Sequence, residues 1–240
     1  LGTILSNLGN LKEAELSTRK AIELNPNFAD AHSNLGIILS NLGNLKEAEL
    51  STRKAIELNP NYADAYSNLG TILRDLGNLK EAELLQRKAI KLKPDFAEAY
   101  SNLGTILRDL GNLKEAELLQ RKAIELKPNF AEAHSNLGTI LSDLGKSQEA
   151  ELSQRKAIKI KPDYAIAYYN LGNLLKDLGN LKEAEISYSK AISLKPNFSS
   201  ALTNRGQLYF EKGEFVLALK DSYSYNSEAS RGFSLETLYE

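Results

Sequence analysis

Apolar side chains recur along this chain at alternating steps of three and four residues. Within residues 63–96 there are two such runs, separated by a short polar stretch: Ala65, Leu69, Ile72 and Leu76, and then Ala82, Leu85, Ala89 and Leu92. This spacing places the apolar residues of each run on one side of an α-helix. The pattern predicts pairs of amphipathic helices near residues 30–42 and 46–59, and at every 34-residue translation of those ranges.

The helix-breaking residues follow the same 34-residue period. All six prolines obey it: Pro26, Pro60, Pro94, Pro128, Pro162 and Pro196. Apart from Gly232, the glycines form two series with this period, one of which includes Gly70 inside a predicted helix. Glycine there costs about 1 kcal/mol relative to alanine, so its recurrence predicts a close approach of the paired helix. A fixed period of this length is typical of stacked helical repeats.

Residues at the predicted helix ends match known capping signals. Gly77 follows the first helix of its hairpin and is expected in the left-handed conformation. Asn78 and Glu81 have the spacing of a capping box for the second helix. Asp95 with Glu98 is interpreted in the same way for the next hairpin. These signals predict where each helix begins and ends.

Five residues of this hairpin, with their equivalents in the other hairpins, carry a resemblance to the tetratricopeptide repeat (TPR) family: Leu69, Gly70, Ala82, Ala89 and Pro94. The resemblance covers almost the whole chain. It implies an all-α fold, a right-handed superhelical solenoid of 34-residue helix-turn-helix repeats. The chain contains no Trp, and other rings take the place of the aromatic residue expected early in the first helix: His32, Tyr66, Tyr100, His134 and Tyr168. We interpret these rings, including both histidines, as packing residues.

The period divides the chain into a solenoid over residues 1–232 and a short tail. The solenoid comprises a partial repeat 1–28, full repeats 29–62, 63–96, 97–130, 131–164 and 165–198, and a degenerate repeat 199–232. Residues 233–240 are either a capping helix or the start of a following domain. Because the chain begins without Met inside an expected helix, we expect it to be a fragment.

Composition excludes several classes of function. The chain has no Cys, two distant His and a formal net charge of −1, which argues against metal sites, thiol chemistry and nucleic-acid binding. No apolar run approaches the roughly 18 residues that cross a membrane. No combination of nucleophile and base is present, so we expect neither an enzyme nor a cofactor, and a cytoplasmic location is compatible with this composition.

The first helices carry a polar face. In residues 98–110 it comprises Glu98, Ser101, Asn102, Thr105, Arg108 and Asp109. One position of this face is always asparagine: Asn34, Asn68, Asn102, Asn136, Asn170 and Asn204. An asparagine side chain can pair with both polar groups of an extended peptide backbone, and the pattern is similar to the asparagine ladder of the TPR superhelix of O-GlcNAc-transferase-like proteins. Alternatively, these asparagines bridge neighbouring repeats or reflect the copying of one ancestral hairpin.

Charge on this face limits the class of partner. Its positions carry more acidic than basic residues, with Arg74, Arg108 and Lys176 as isolated cations. A protein or peptide partner that is not strongly acidic is therefore expected, and nucleic acid, which needs a basic track, is not.

The fifth full repeat departs from the pattern of the others. It carries Ile166, Tyr169, Asn173 and Lys176 where the others have acidic, Ser, Thr, and Ser or Arg residues. An exposed Tyr169 would mark a position-specific pocket, since tyrosine contributes strongly at interfaces. Contact with the atypical sixth repeat is the alternative interpretation.

Taken with the resemblance, these observations predict a protein-protein interaction scaffold that binds extended peptide segments in a concave groove. One alternative is a substrate-recruiting arm of a larger enzyme, such as a glycosyltransferase, with its catalytic domain outside this chain. A second is a self-associating structural spacer that stacks head to tail.

Overall fold

A computed structural model describes residues 10–226, with side chains through residue 223. This part of the chain contains thirteen α-helices and no strand. In chain order the helices are α1 (Leu11–Leu24), α2 (Ala29–Asn41), α3 (Leu45–Leu58), α4 (Ala63–Asp75), α5 (Leu79–Leu92), α6 (Ala97–Asp109), α7 (Leu113–Leu126), α8 (Ala131–Asp143), α9 (Ser147–Ile160), α10 (Ala165–Asp177), α11 (Leu181–Leu194), α12 (Ser199–Glu211) and α13 (Phe215–Asn226). The predicted helices in this range are confirmed and are shifted by one residue from the predicted bounds, except that α13 is described only to Asn226. The proposed tail, residues 233–240, lies outside the described residues.

The helices form two compact units, unit 1 over Leu1–Pro128 and unit 2 over Asn129–Glu240. Within each unit the two helices of a hairpin pack most extensively against each other, and each hairpin also packs against the next one along the chain. This arrangement agrees with the expected all-α class of stacked helical repeats. Even-numbered helices are the first helices of the hairpins, and the odd-numbered helices that follow them are the second helices.

Glycine ends each first helix as predicted. Gly43 has φ +83°, and its equivalents lie between +74° and +83°, a region that residues with a Cβ atom rarely adopt. The amide of Gly43 donates to the Ser40 carbonyl, and that of Asn44 donates to the Leu39 carbonyl at 2.8 Å. These two bonds satisfy carbonyls that a helix end leaves without partners.

The predicted side-chain caps are wrong. Asn78 precedes α5 but makes no capping bond to the backbone; its Nδ2 donates instead to Glu81 Oε2 at 2.8 Å. The other oxygen of Glu81 accepts from Arg53 of the preceding hairpin at 2.7 Å. Asp95 is not a cap either, because Phe96 occupies the N-cap position of α6. Charge-assisted bonds are stronger than neutral ones, so the glutamate is held by side chains in place of the helix amide.

Glu81 belongs to a row of ion pairs that links the second helices. Within unit 1, Arg53 contacts both Glu49 of its own helix and Glu81 of the next hairpin. The same two contacts recur at Arg19 and at Arg87. Hydrogen bonding to Glu81 raises the pKa of Arg53 against the opposing effect of burial. Each exposed pair contributes at most about 1 kcal/mol, so the row mainly keeps successive hairpins in register.

Close packing explains the glycine inside the first helices α2, α4, α6, α8 and α10. A Cβ atom on Gly70 would lie 2.8 Å from Gln86 Nε2 and 3.1 Å from the Ala82 carbonyl oxygen. Both atoms belong to the second helix of the same hairpin, so the predicted close approach is confirmed.

Apolar packing crosses from one hairpin to the next. Leu69, Leu73 and Ala82 of one hairpin form a buried cluster with Ile106 of the following one. Burying a leucine or isoleucine stabilises a fold by about 1.5–3 kcal/mol. Because the cluster needs both hairpins, each repeat depends on its neighbour for stability.

One of the two histidines lies beside a backbone carbonyl. His32 is partly buried, and its Nε2 lies 2.9 Å from the carbonyl oxygen of Pro26. The ring therefore packs near the turn that precedes α2, with a backbone partner.

The last described hairpin contains a buried ion pair. Arg205 stands where the preceding hairpin has the buried Leu171. Its guanidinium donates two bonds to Asp221, at 2.8 and 2.6 Å, and one to Ser189 Oγ at 2.9 Å. Asp221 is only 3% exposed. A buried pair of this kind is stable only while both partners are present.

Candidate functional site

The recurring asparagines lie on the first helices, and they define what we call the asparagine face. In unit 1 the face contains Asn34, Asn68 and Asn102, and in unit 2 it contains Asn136, Asn170 and Asn204. All six side chains are half-buried. The 34-residue period therefore gives each first helix one asparagine in an equivalent position.

In unit 1 the asparagines of α4 and α6 are each bonded to the hairpin before them. Asn68 Nδ2 donates to Ser33 Oγ, and Asn102 Nδ2 donates to Ser67 Oγ, both at 3.2 Å. Both serines are the equivalents of Ser101, which the sequence pattern places on the polar face, but they are buried at 1% and 3% exposure. The bridging role is thus present in the structure. An asparagine amide has two donors and one oxygen acceptor, so a single bridge leaves a donor and the acceptor for another partner.

A buried glutamine on the second helix, absent from the sequence-based prediction, holds the serine in place. Gln86 Nε2 donates to the Ser67 carbonyl at 2.8 Å, and Gln120 Nε2 makes the same bond to Ser101. The glutamine reaches the first helix because Gly70 has no side chain. The sequence contains a signal for this contact. Four residues after Ala82 the family pattern has Phe, whereas this chain has Gln.

The glutamines differ in how completely their polar atoms are paired. Gln86 Oε1 and Gln120 Oε1 are buried without a hydrogen-bond partner, whereas Gln154 Oε1 accepts from Ser135 Oγ at 2.9 Å. A buried polar atom without a partner costs about 1–3 kcal/mol. Hairpins with nearly identical sequences therefore differ in the free energy of this contact.

In unit 2 the asparagines of α10 and α12 make additional bonds. Asn170 Nδ2 donates to Ser135 Oγ at 3.2 Å and to Thr139 Oγ1 at 3.4 Å. Asn204 Nδ2 donates to Asn173 Oδ1 at 2.8 Å and to the Tyr169 hydroxyl at 3.3 Å. Both donors of each amide are thus engaged within the protein, with the shortest of these bonds at Asn204.

Tyr169 is not exposed, and this favours the alternative interpretation of contact with the repeat that follows. Its ring is half-buried, with its centroid 5.0 Å from that of Phe198 and 6.2 Å from that of Tyr188. Asn173 accepts from the Tyr188 hydroxyl at 2.9 Å, and Lys176 Nζ lies 3.7 Å from Glu211 Oε1. Tyr169, Asn173 and Lys176 all contact other parts of unit 2. Ile166 is 46% exposed.

Charges on the asparagine face are largely compensated by neighbours. Arg74 pairs with Asp75 at 3.0 Å, and Arg108 also has an interaction partner. Glu98 pairs with Lys127 at 2.7 Å, and Glu132 with Lys161 at 3.0 Å. Burial raises the pKa of Glu98, but hydrogen bonds from Lys127 and the backbone outweigh it, so the pKa is lowered. The acidic excess counted along the sequence is therefore smaller in the folded protein.

One tyrosine bordering the face is perturbed by its surroundings. Burial and a hydrogen bond with Asp30 raise the pKa of Tyr62 to about 12. The phenol therefore stays protonated at neutral pH and remains a hydrogen-bond donor.

Metal binding and membrane crossing each need a specific arrangement of residues, and residues 10–226 show neither. No group of three or more His, Asp or Glu side chains there has the arrangement of a metal site. None of the helices in that range is both long enough and apolar enough to cross a membrane.

Family models described as tetratricopeptide repeats match the chain in several places. One model matches two of the hairpins, residues 29–62 and 165–198. Others match residues 1–28, 52–83, 70–111 and 95–163. No curated protein sequence matches the chain significantly.

Solved structures show the same likeness. YrrB, described as a TPR protein with an unusual peptide-binding site, is 30% identical, with 77% of this chain and 95% of YrrB covered and a TM-score of 0.53. The APC/C hetero-tetramer Cut9-Hcn1 gives a TM-score of 0.84 at 19% identity, covering 94% of this chain. This chain spans only 45% of the matched chain of that complex. TTC0263, a thermophilic TPR protein of Thermus thermophilus, has 23% identity over 76% of this chain and 99% of its own, with a TM-score of 0.69.

The Cut9-Hcn1 structure and TTC0263 are only 19% and 23% identical to this chain, so they support its fold alone. TPR proteins in general bind protein or peptide partners, and their fold is generally non-catalytic. The repeat matches, the likeness to YrrB and the helical hairpins show that the chain belongs to the tetratricopeptide repeat family and has the fold of a protein-interaction scaffold.

Proposed function

We propose that the asparagine face of unit 1 binds an extended peptide segment through its backbone. The observation that carries this proposal is the pairing of Asn68 and Asn102, each of which donates a single hydrogen bond to a buried serine. That bond orients the amide and leaves one N–H and the Oδ1 atom for a ligand. A pre-oriented side chain loses less conformational entropy when it binds.

The setting of the two asparagines suits a backbone ligand. They lie one repeat apart in hairpins that are almost identical, so they offer the same donor and acceptor twice. A peptide backbone presents the same two groups at every residue apart from proline. The peptide-binding site named for YrrB is consistent with this type of ligand.

Charge favours a peptide that is weakly charged. Asp64 is exposed beside this face, and Arg74 is paired with Asp75. A strongly acidic segment would find few unpaired cations here, so electrostatics would not assist its binding.

Selection from a random peptide library tests the proposal. A display library of short random peptides is selected on the full chain, and the enriched peptides are titrated by calorimetry. Changing both Asn68 and Asn102 to Ala should weaken binding by about 1–3 kcal/mol, since each lost backbone contact is worth about 0.5–1.5 kcal/mol. Asn78→Ala is the matched control, because Asn78 bonds to Glu81 away from the face.

Two results would contradict the proposal. One is the absence of any enriched peptide, and the other is unchanged affinity for the double variant. A chain that instead forms dimers at micromolar concentration in sedimentation velocity runs would favour the alternative of a self-associating spacer. A role as the substrate-recruiting arm of a larger enzyme would use the same face and the same chemistry.

A further inference from the structure

One buried side chain of each second helix lies against the glycine of the first helix, and its length varies along the chain. The occupants of this position are Thr52, Gln86, Gln120, Gln154 and Tyr188, all at most 2% exposed. Each lies within 3.3 Å of a Cβ atom built on the facing glycine. A side chain at this position can therefore extend from the second helix past the glycine towards the asparagine face.

The length of the side chain at this position decides how far it reaches past the glycine. Thr52 Oγ1 donates to the Ala48 carbonyl of its own helix at 2.8 Å. Gln86 reaches across to the backbone carbonyl of Ser67. The Tyr188 hydroxyl extends further and donates to Asn173 Oδ1, a side-chain atom of the polar face itself. Tyr188 thus bonds to a side chain of the polar face, as Gln154 does through Ser135 Oγ.

The tyrosine has a specific effect on Asn204. Its bond to Asn173 is accompanied by a second bond to the same oxygen, donated by Asn204 Nδ2 at 2.8 Å. The other acceptor for Asn204 is the Tyr169 hydroxyl, on a ring packed beside Tyr188 and Phe198. An amide with two protein acceptors has no donor left for a peptide.

The asparagines of unit 1 differ from Asn204 in this respect. Asn68 bridges to the hairpin with the short Thr52, and Asn102 bridges to the hairpin with Gln86. Each of these two amides has one acceptor within the protein. Asn170, which bridges to the hairpin with Gln154, has two acceptors, Ser135 and Thr139, so the size of the side chain opposite the glycine does not by itself set the number of acceptors.

We infer that Tyr188 is a specificity-determining residue that excludes a peptide backbone from Asn204, because its hydroxyl holds Asn173 in the position from which Asn173 Oδ1 accepts the Asn204 amide. This inference rests on the proposed function, because it concerns the same kind of backbone ligand. In unit 1, Thr52 and Gln86 leave the asparagine amide available. In the hairpin with Tyr188, Asn173 and Tyr169 accept hydrogen bonds from the Asn204 amide, so that amide is not available to a peptide.

Side-chain amide signals of asparagine provide the test. The chain labelled with ¹⁵N is titrated with a peptide enriched on the wild-type chain, and the signals are assigned by single Asn→Asp variants. In the wild type we expect the Asn68 and Asn102 signals to shift and the Asn204 signals to stay unchanged. In Tyr188→Phe, which keeps the ring and removes the hydroxyl, the Asn204 signals should shift as well.

A transplant of residues from unit 1 gives a stronger form of the test. The triple variant Tyr169→Ser, Asn173→Ile and Tyr188→Thr gives the last complete repeat the side chains of Ser33, Ile37 and Thr52 in unit 1, where Asn68 has a single acceptor. We expect peptide affinity in unit 2 to rise about 2- to 10-fold, the value of one added backbone contact. The reverse change in unit 1 is the matched control: Ser33→Tyr, Ile37→Asn and Thr52→Tyr. It should abolish the shift of the Asn68 signals.

The outcomes separate this inference from the proposed function. If no asparagine signal of the wild type moves with any enriched peptide, the proposed function itself fails. If Asn68 and Asn102 respond but Asn204 responds equally in the wild type, the inference is overturned. It is also overturned if Asn204 stays silent in Tyr188→Phe and in the triple variant, with circular dichroism showing both folded. Should the triple variant not fold, Tyr188→Phe alone decides.

Discussion

The contact between the two helices of a hairpin can be tested at Gly104. A Cβ atom at this position would lie 2.8 Å from Gln120 Nε2 and 3.2 Å from the carbonyl oxygen of Ala116. The glutamine side chain can move, but only by giving up its 2.8 Å bond to the Ser101 carbonyl. The Ala116 carbonyl belongs to the helix backbone, so it moves only if α7 moves. Gly104→Ala therefore disturbs both a hydrogen bond and the spacing of two helices.

The magnitude follows from three contributions. Loss of the buried hydrogen bond costs about 1–3 kcal/mol, and overpacking costs about 1–3 kcal/mol. Alanine recovers about 1 kcal/mol as the better helix former. We expect a net loss of about 3 kcal/mol in the free energy of unfolding for Gly104→Ala, and a larger loss for Gly104→Leu.

The chain contains its own control for this substitution. At Gly206 the added Cβ atom would lie 3.4 Å from Asp221 Cβ and 3.5 Å from the Ala218 carbonyl, which are ordinary contacts. Gly206→Ala should therefore be neutral, or stabilising by up to about 1 kcal/mol.

Urea unfolding followed by circular dichroism measures the stability of both variants. Because repeat arrays can unfold in more than one step, hydrogen exchange of the α6 and α7 amides should accompany it. A loss below about 1 kcal/mol at Gly104, or equal losses at Gly104 and Gly206, would show that the close approach of the helices does not explain the glycine.

Three further predictions concern the asparagine face, the last hairpin and alkaline pH. The first changes three asparagines to alanine: Asn68, Asn102 and Asn136. Calorimetry should then show no binding of an enriched peptide. The melting temperature should fall only slightly, because better helix formation offsets the lost bridges. A variant that melts early but still binds the peptide would contradict a ligand role. Asp221→Ala should destabilise the last hairpin by about 3 kcal/mol, since it leaves Arg205 without its partner, and hydrogen exchange of α12 that matches the wild type would refute this. The pKa of Tyr62 is about 12 in the folded state against an ordinary value of 10.0, so its phenol stabilises the fold below about pH 10, and this contribution is lost as pH rises from about 10 to about 12. In urea melts, Tyr62→Phe should lessen the loss of stability over that range. An unchanged pH dependence would count against the raised pKa.

Helix positions and turn conformations could be predicted from the sequence because they depend on local physics. The apolar period of three and four residues placed the start of each described helix to within one residue, and glycine after each first helix predicted the positive φ at Gly43. The mid-helix Gly70 predicted a tight contact for a similar reason, since only a packing demand offsets its helix-propensity cost. The near-identity of the 34-residue units then extended each local inference along the chain.

The partner of each polar side chain was decided by the tertiary structure. Glu81 has the spacing of a capping residue, but stacking brings Arg53 of the preceding hairpin within 2.7 Å, and the charged contact replaces the cap. Tyr169 falls on the polar face by helical geometry, yet it is half-buried because Phe198, which precedes the next hairpin, packs on its ring. Neither contact is visible in one hairpin alone.

The candidate site shows the same division. Sequence periodicity identified the asparagines, because one residue type recurs at one helical position. Whether their amides are available depends on side chains of other helices. Ser33 accepts a hydrogen bond directly from Asn68. Gln86 and Tyr188 reach past a glycine to bond with Ser67 and Asn173, which lie next to the asparagines. Hydrogen-bond partners are chosen by distances of about 3 Å in three dimensions, and the sequence alone does not specify distances between separate helices.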